Sequence, residues 1–265
     1  MNDKHAEKVK LIYKEAENFL YEITPSELRG EDLEKYFNPA KNLKSKKDIL
    51  VQLLGSLQNK QSAPNVIGFW KDDRKSLFKD ILFDYDADTI LSTYTADLLF
   101  ECFKKHFPIN NADSKGNLWK KYAKSVISAC EFLSKFNDAR DFDNFINRFS
   151  YNKFSSAALP MLLEKEIFGL GFALACDFLK ELGYTEYPKP DVHIIDIFHE
   201  FGLCKKNAYS AYKAVIEMAQ IVDETPYKVD KIFWLIGSGN YYLDKKEIRG
   251  NKKEFIEKMG KGQKG

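Results

Sequence analysis

The chain has 265 residues, of which 44% are hydrophobic and 30% charged. This balance is typical of a globular protein and excludes a disordered or fibrous one. The 41 basic and 39 acidic side chains leave a formal net charge of +2, which neither requires nor excludes a nucleic-acid partner. No apolar run approaches the ~18 residues of a membrane span, and the charged N-terminus lacks the apolar core of a secretion signal. We therefore expect no membrane association and a cytoplasmic location, nucleoid-associated if the source is prokaryotic.

Helical periodicity dominates the sequence. Apolar residues recur at i, i+3 and i+4 over residues 9–23, 47–58, 73–83, 95–107, 117–136, 141–149, 155–166, 207–222 and 228–237. Sustained apolar–polar alternation is absent, so strands should be few. We predict an all-α fold, compact and made of many helices joined by short connections.

Three segments are expected along the chain. Residues 1–46 should form N-terminal helices that pack on a core of residues 47–240. Residues 241–265 read as a basic tail, because eight basic and three acidic residues lie between Lys245 and Gly265. The last seven residues have no core-forming pattern and should fray.

The four cysteines, at positions 102, 130, 176 and 204, show no spacing typical of zinc or iron–sulfur ligation. We expect buried, reduced thiols and neither a metal nor a cofactor.

A tight turn between two helices is the first candidate site. Gly169-Leu170-Gly171 separates a helix that ends near residue 167 from one that begins at Phe172. The glycines allow positive φ and the close approach of another backbone, and the N–H groups at the second helix start favour a phosphate. A plain corner between two helices is the alternative interpretation.

Asp191 is the second candidate. The prolines at 188 and 190 favour an extended approach to a new helix, whose N-cap would be Asp191. A capping aspartate is the structural interpretation. The functional one is a carboxylate held at a helix start, facing the ligand of the glycine turn.

Together the two motifs resemble the helix–hairpin–helix DNA glycosylase superfamily, in particular its endonuclease III and archaeal 8-oxoguanine glycosylase group. The hairpin of that family corresponds here to Phe168–Gly171 and its V-D-T-H-like motif to Pro190–Ile194, with Asp191 20 positions after Gly171. The resemblance covers roughly residues 47 to 237. It implies a helix–hairpin–helix glycosylase fold, either one compact body or two helical lobes with the site in a cleft between them.

The resemblance also implies roles for single residues. Asp191 would be catalytic and stabilise the sugar cation that forms when a damaged base leaves. Gly169, Leu170 and Gly171 would bind DNA phosphates, and Gln58, in a segment similar to the family's LLSAQ, would fill the gap left by the extruded base. Stacking on the base is expected of three aromatic residues, for which core packing is the alternative: Phe69, Trp70 and Trp234. The partner would be double-stranded DNA with a damaged base, bound by a monomer.

One position departs from the family pattern. Bifunctional members carry a lysine nucleophile two residues after the second glycine, where this chain has Ala173. An amine is needed to form a Schiff base with the sugar, so we expect a monofunctional DNA N-glycosylase without lyase activity. Three alternatives remain: a bifunctional enzyme with another lysine such as Lys165, a non-catalytic helix–hairpin–helix DNA-binding protein, and a helical protein that binds other partners.

Overall fold

The structure, a computed structural model, describes residues 3–39, 43–59, 63–149 and 152–262. Its α-helices are α1 (Asp3–Ile23), α2 (Glu31–Glu34), α3 (Lys46–Gln58), α4 (Ala63–Ile67), α5 (Asp72–Ile81), α6 (Ala87–Thr93), α7 (Ala96–His106), α8 (Leu118–Leu133), α9 (Ala139–Asn147), α10 (Lys153–Glu166), α11 (Phe172–Glu181), α12 (Val192–Glu200), α13 (Ala208–Val222), α14 (Pro226–Ser238) and α15 (Lys252–Gly262). Short 3₁₀ turns occur at Ser26–Leu28, Phe83–Tyr85 and Tyr242–Asp244.

The prediction of an all-α fold is confirmed. Each of the nine periodic segments coincides with a helix, and most boundaries agree within a few residues. The described strands are limited to β1 (Asn240–Tyr241) and β2 (Lys246–Glu247), which pair antiparallel. The capping chemistry is local: Ser45, Thr95, Asn117 and Asn207 each accept a hydrogen bond from a backbone N–H in the first turn of the helix that follows.

The chain divides into two compact units. Unit 1 comprises Met1–Ala40 and Gly183–Gly265, and unit 2 comprises Lys41–Leu182. The N-terminal segment therefore belongs with the C-terminal third of the chain, which differs from the expected division at residues 46 and 240. The cause lies in α1, whose apolar face packs against α13, α14 and α15.

Unit 2 is organised around α8, which packs against α3, α4, α6 and α7. Aromatic rings fill the space beside it, with Phe107 and Trp119 stacked at 4.5 Å between centroids. The amphipathic pattern of α8 explains its central place, since its buried residues recur along one side from Trp119 to Leu133.

The C-terminal segment is not a tail. Residues 252–262 form α15, and Phe255 and Met259 are buried in the core of unit 1. Phe255 contacts the ring of Phe19 on α1 at 5.2 Å and that of Phe201 at 5.5 Å. The burial of Met259 departs from the expectation that the last seven residues have no place in the core, and residues 263–265 lie outside the described part of the chain. Phe255 and Met259 lie four residues apart among many basic residues and form the apolar face of an amphipathic helix. The sequence analysis did not recognise this face.

Two other sequence features have a structural outcome. Cys130 and Cys176 are buried as predicted, whereas Cys102 and Cys204 are partly exposed. Burial raises the pKa of the Cys130 thiol to about 12. Among the described helices, none is long and apolar enough to cross a membrane.

The packing of α15 predicts a large effect of Phe255→Ala. Removing a fully buried ring should lower the free energy of unfolding by about 3–5 kcal/mol, measured by urea denaturation. Leu11→Ala, at an exposed position of α1 in the same unit, is the control and should change it by about 0.5 kcal/mol or less. Equal effects of the two substitutions would show that α15 does not dock on the core.

Candidate functional site

The glycine turn lies in unit 2, between α10 and α11. Ile167 ends α10, and the N–H of Leu170 donates to the Ile167 carbonyl at 3.2 Å. Gly169 has a φ of +86°, as the prediction of a positive-φ turn requires, but Gly171 has an ordinary φ of −77°. Leu170 is buried and its N–H is already bonded to Ile167, so the structure does not support the predicted contact of Leu170 with a phosphate.

Two serines of α8 hold the turn in place. A Cβ on Gly169 would lie 2.5 Å from Ser125 Oγ, so a glycine is needed for this close approach. The N–H of Phe168 donates to Ser128 Oγ at 2.9 Å. Small side chains on α8 therefore let the turn contact the helix surface directly.

The start of α11 exposes backbone donors. Gly171 is the N-cap and has no side chain to cap the helix, and the N–H groups of Ala173 and Leu174 have no acceptor in the part of the chain that the structure describes. Such groups, with the positive end of the helix dipole behind them, form an anion site. The geometry of the turn therefore suits a phosphate.

Asp191 lies in unit 1 and caps α12, as predicted. Its Oδ1 accepts hydrogen bonds from the N–H groups of His193 at 2.9 Å and Ile194 at 3.2 Å. Its Oδ2 accepts no hydrogen bond from any described residue. The side chain is half-buried, so one carboxylate oxygen orients the group and the other remains available.

The segment before Asp191 is tied to α14. The N–H of Lys189 donates to Oδ2 of Asp230 at 2.7 Å, and the carbonyl of Lys189 accepts from the N–H of Asp191 at 2.9 Å. Farther back, Thr185 O accepts from the N–H of Tyr227 at 3.0 Å. Asp230 is fully buried, so the loop is fixed by a carboxylate inside the unit.

His193 supports the same helix start from the side. Its ring packs on Gly237 of α14, where an added Cβ would lie 2.6 Å from the His193 Cβ. Burial lowers the pKa of His193, partly offset by the nearby Asp191, so the ring is neutral near pH 7. One turn onward, Lys252 of α15 pairs with Asp196 at 2.5 Å, and this hydrogen bond lowers the pKa of Asp196. A structural role for His193 follows.

The structure does not support the predicted role of Gln58. Its side chain is 3% exposed, and its Oε1 accepts the N–H of Phe69 at 2.8 Å. In this position Gln58 holds the turn after α4, and its side chain is not exposed on the surface. Phe69 is buried against the rings of Phe78 and Tyr122, so in this structure its ring has no face open to a base.

Trp70 occupies a different environment. Its indole lies on α3 at Gly55, where a Cβ would come within 2.2 Å of the ring. The side chain is 44% exposed and lines a cavity of about 210 Å³. The other lining residues of this cavity include hydrogen-bonding groups: Asp48, Gln52 and Glu181. A planar polar ligand has both a stacking surface and polar partners here.

Trp234, the third aromatic candidate, is partly buried on α14 in unit 1. Its ring meets Tyr242 edge-on at 6.0 Å, and the ammonium of Lys231 lies 5.3 Å from its centroid. Lys231 itself is buried and donates to the hydroxyl of Tyr242 at 3.0 Å. The sequence analysis did not single out Asp230 and Lys231. Both are charged residues buried on an apolar helix face, and their burial depends on partners that the sequence alone does not identify.

Ala173 and the nearby lysines that could supply an amine nucleophile differ in exposure. Ala173 is half-buried in the first turn of α11, and Lys165 is an exposed residue of α10. Lys180 lies seven residues after Ala173 on the same face of α11 and is buried. Among the described residues, no three His, Cys, Asp or Glu side chains are grouped so as to hold a metal ion.

Comparison with known proteins gives a similarity of fold. No protein-family model matches the chain, and no curated protein matches its sequence. The structure of the Methanocaldococcus jannaschii 8-oxoguanine glycosylase/lyase in complex with DNA containing 8-oxoguanine aligns over 90% of this chain and 100% of its own, with a TM-score of 0.52 and 15% identity. A second structure of the 8-oxoguanine DNA glycosylase from that organism aligns over 89% and 96%, with a TM-score of 0.50 and 16% identity. The chain shares the all-α fold of these proteins.

The geometry of the turn predicts that alanine substitutions at its two glycines have different effects on stability. Gly169→Ala should lower the free energy of unfolding by about 1–3 kcal/mol, because it combines a left-handed φ with a contact on Ser125. Gly171→Ala is the matched control: a Cβ there meets nothing within 4 Å and its φ is ordinary, so only the poorer N-cap remains and the loss should be smaller, about 0.5–1 kcal/mol. Urea denaturation measures both, and equal losses would contradict this description of the turn.

Proposed function

We propose that the protein is a DNA glycosylase that extrudes a damaged base from double-stranded DNA and hydrolyses its N-glycosidic bond. The observation that carries this proposal is the Asp191 carboxylate, oriented by the N-cap of α12 and with one oxygen free. The fold shared with 8-oxoguanine DNA glycosylases supports it.

Asp191 would act on the sugar. As the base leaves, positive charge develops around C1′, and a fixed carboxylate beside that carbon stabilises the charge without reorganising. The two N–H donors of α12 hold the carboxylate in one orientation, which this role requires. The same oxygen can accept a proton from the attacking water.

The turn at Gly169–Gly171 would bind the DNA backbone through the open N–H groups of α11. Phosphate contacts of this kind position a protein on DNA without reading its sequence. Extrusion of the base is required, since its sugar bond is inaccessible within the duplex. We propose that the protein works as a monomer.

The cavity beside Trp70 is the proposed place for part of the extruded base. The indole offers a stacking face, and Gln52, Asp48 and Glu181 offer hydrogen-bond partners for a base edge. Because the similar solved structures are named for 8-oxoguanine, we propose this lesion as the first substrate to test.

Hydrolysis without strand cleavage follows from Ala173. The methyl side chain offers no amine at the position where bifunctional relatives of the resembled family have their nucleophile. Lys165 is exposed on α10, as a surface lysine is expected to be. The product would therefore be a free base and an intact abasic strand.

Asp191→Asn tests the catalytic assignment. Asparagine caps helices about as well as aspartate, so folding should be preserved, whereas a neutral amide cannot stabilise the sugar cation. We expect base release from a panel of single-lesion duplexes to fall about 10²–10⁴-fold. Asp138→Asn is the control, because Asp138 is also a helix N-cap, accepting the N–H of Asp141 at the start of α9, and should be dispensable for release.

Full activity in folded Asp191→Asn protein would refute the role of the carboxylate. If the unaltered protein binds these duplexes but releases no base from any of them, it is a non-catalytic DNA-binding protein. If it does not bind DNA at all, a helical protein with other partners is the correct interpretation.

The absence of lyase activity has its own test. Borohydride added during turnover should trap no covalent protein–DNA adduct, and strand cleavage should appear only after alkali or heat, because no imine forms. An adduct with the unaltered protein would contradict the monofunctional assignment. Its loss in Lys165→Ala or in Lys180→Ala would then identify the amine.

A further inference from the structure

The first two turns of α8, next to the glycine turn, carry positive charge. They contain three lysines, at 120, 121 and 124, and the single acidic residue of the helix, Glu131, lies near its other end. All three lysines are exposed, and none has an ion-pair partner among the described residues.

Two of these lysines are placed at the turn itself. The contacts of Gly169 with Ser125 and of Phe168 with Ser128 bring the turn onto the same helix. Lys121 and Gly169 both line one cavity of about 280 Å³. Lys124 reaches the turn, since its ammonium lies 4.2 Å from the centre of the Phe168 ring.

Phe168 explains why Lys124 is held there. The ring is 40% exposed at the first position of the turn. An ammonium over an aromatic face is attracted by the ring quadrupole and needs no acidic partner, so its positive charge stays available to an anion. The exposed ring thus keeps a cation at the first residue of the glycine turn.

We propose that Lys121 and Lys124 form a second contact with the DNA backbone, on the phosphate next to the one bound by the turn. This inference rests on the proposed function. It extends the proposed DNA contact from one phosphate, bound by the glycine turn, to two neighbouring phosphates. The turn supplies fixed backbone donors, and α8 supplies two mobile charges. Phe168 is a positioning residue for Lys124.

The salt dependence of DNA binding tests the contact. Each lysine that neutralises a phosphate releases condensed counterions and contributes about 0.9 to the slope of log K against log salt concentration. The double variant Lys121→Gln/Lys124→Gln should lower the slope by about 2 and the affinity by roughly tenfold near 0.1 M salt, equally for lesion-containing and undamaged duplexes.

A matched variant controls for total charge. Lys10→Gln/Lys14→Gln removes two exposed, unpaired lysines from α1 and should leave the slope within about half a unit of its original value. If both double variants change the slope equally, or if neither does, the α8 contact is refuted. Base release by the unaltered protein is scored on the same duplexes, so its absence counts against the proposed function and an unchanged slope counts against the α8 contact alone.

The variant Phe168→Leu tests whether the Phe168 ring positions Lys124, because it leaves the charge of Lys124 unchanged. Leucine keeps an apolar side chain in the turn but removes the aromatic face, so Lys124→Gln should cost less affinity in this background than in the unaltered protein. An identical cost in both backgrounds would refute the positioning role of Phe168. Circular dichroism and the urea midpoint of each variant show whether it is folded.

Discussion

The hydrogen bond from the N–H of Lys189 to the carboxylate of Asp230 is the contact on which the proposed chemistry depends. A carboxylate inside a protein is costly unless hydrogen bonds satisfy it, so its burial has to be matched by donors. Here one donor is the backbone two residues before Asp191, and the carbonyl of Lys189 then receives the N–H of Asp191 itself. Asp191 is thereby positioned relative to α14 by the buried side chain of Asp230 and by the two main-chain groups of Lys189.

The glycine turn in unit 2 is positioned by the same means. Gly169 lies against Ser125 because neither residue carries bulk, and the hydroxyl of Ser128 receives the N–H of Phe168. Both functional segments are thus short stretches of backbone fixed to a helix of their own unit. Groups held in this way lose little conformational entropy when DNA binds, and preorganisation of this kind is what electrostatic stabilisation of a developing charge requires.

The sequence predicted what depends on local interactions. The N-cap of α12 and the positive φ of Gly169 follow from residues within one turn of each other, and the helices follow from their apolar period. The side chain of Gln58 is buried where it accepts a hydrogen bond from the N–H of Phe69, eleven residues later. Neither helix propensity nor apolar periodicity predicts a hydrogen bond between two such residues. The docking of α15 required α1, more than two hundred residues earlier, to supply Phe19. Local patterns predict elements, whereas long-range contacts decide which side chains remain accessible.

The identity of the product is the most direct test of this account. Incubating the unaltered protein with a duplex that carries one 8-oxoguanine, and analysing the mixture by mass spectrometry without alkali, should detect the free damaged base together with an uncleaved strand that has an abasic site. Parallel duplexes with uracil, an alkylated purine or mismatched thymine extend the same measurement to other lesions. Release of none of these bases under conditions in which the protein binds the duplexes would contradict the central claim that Asp191 serves an N-glycosidic hydrolysis.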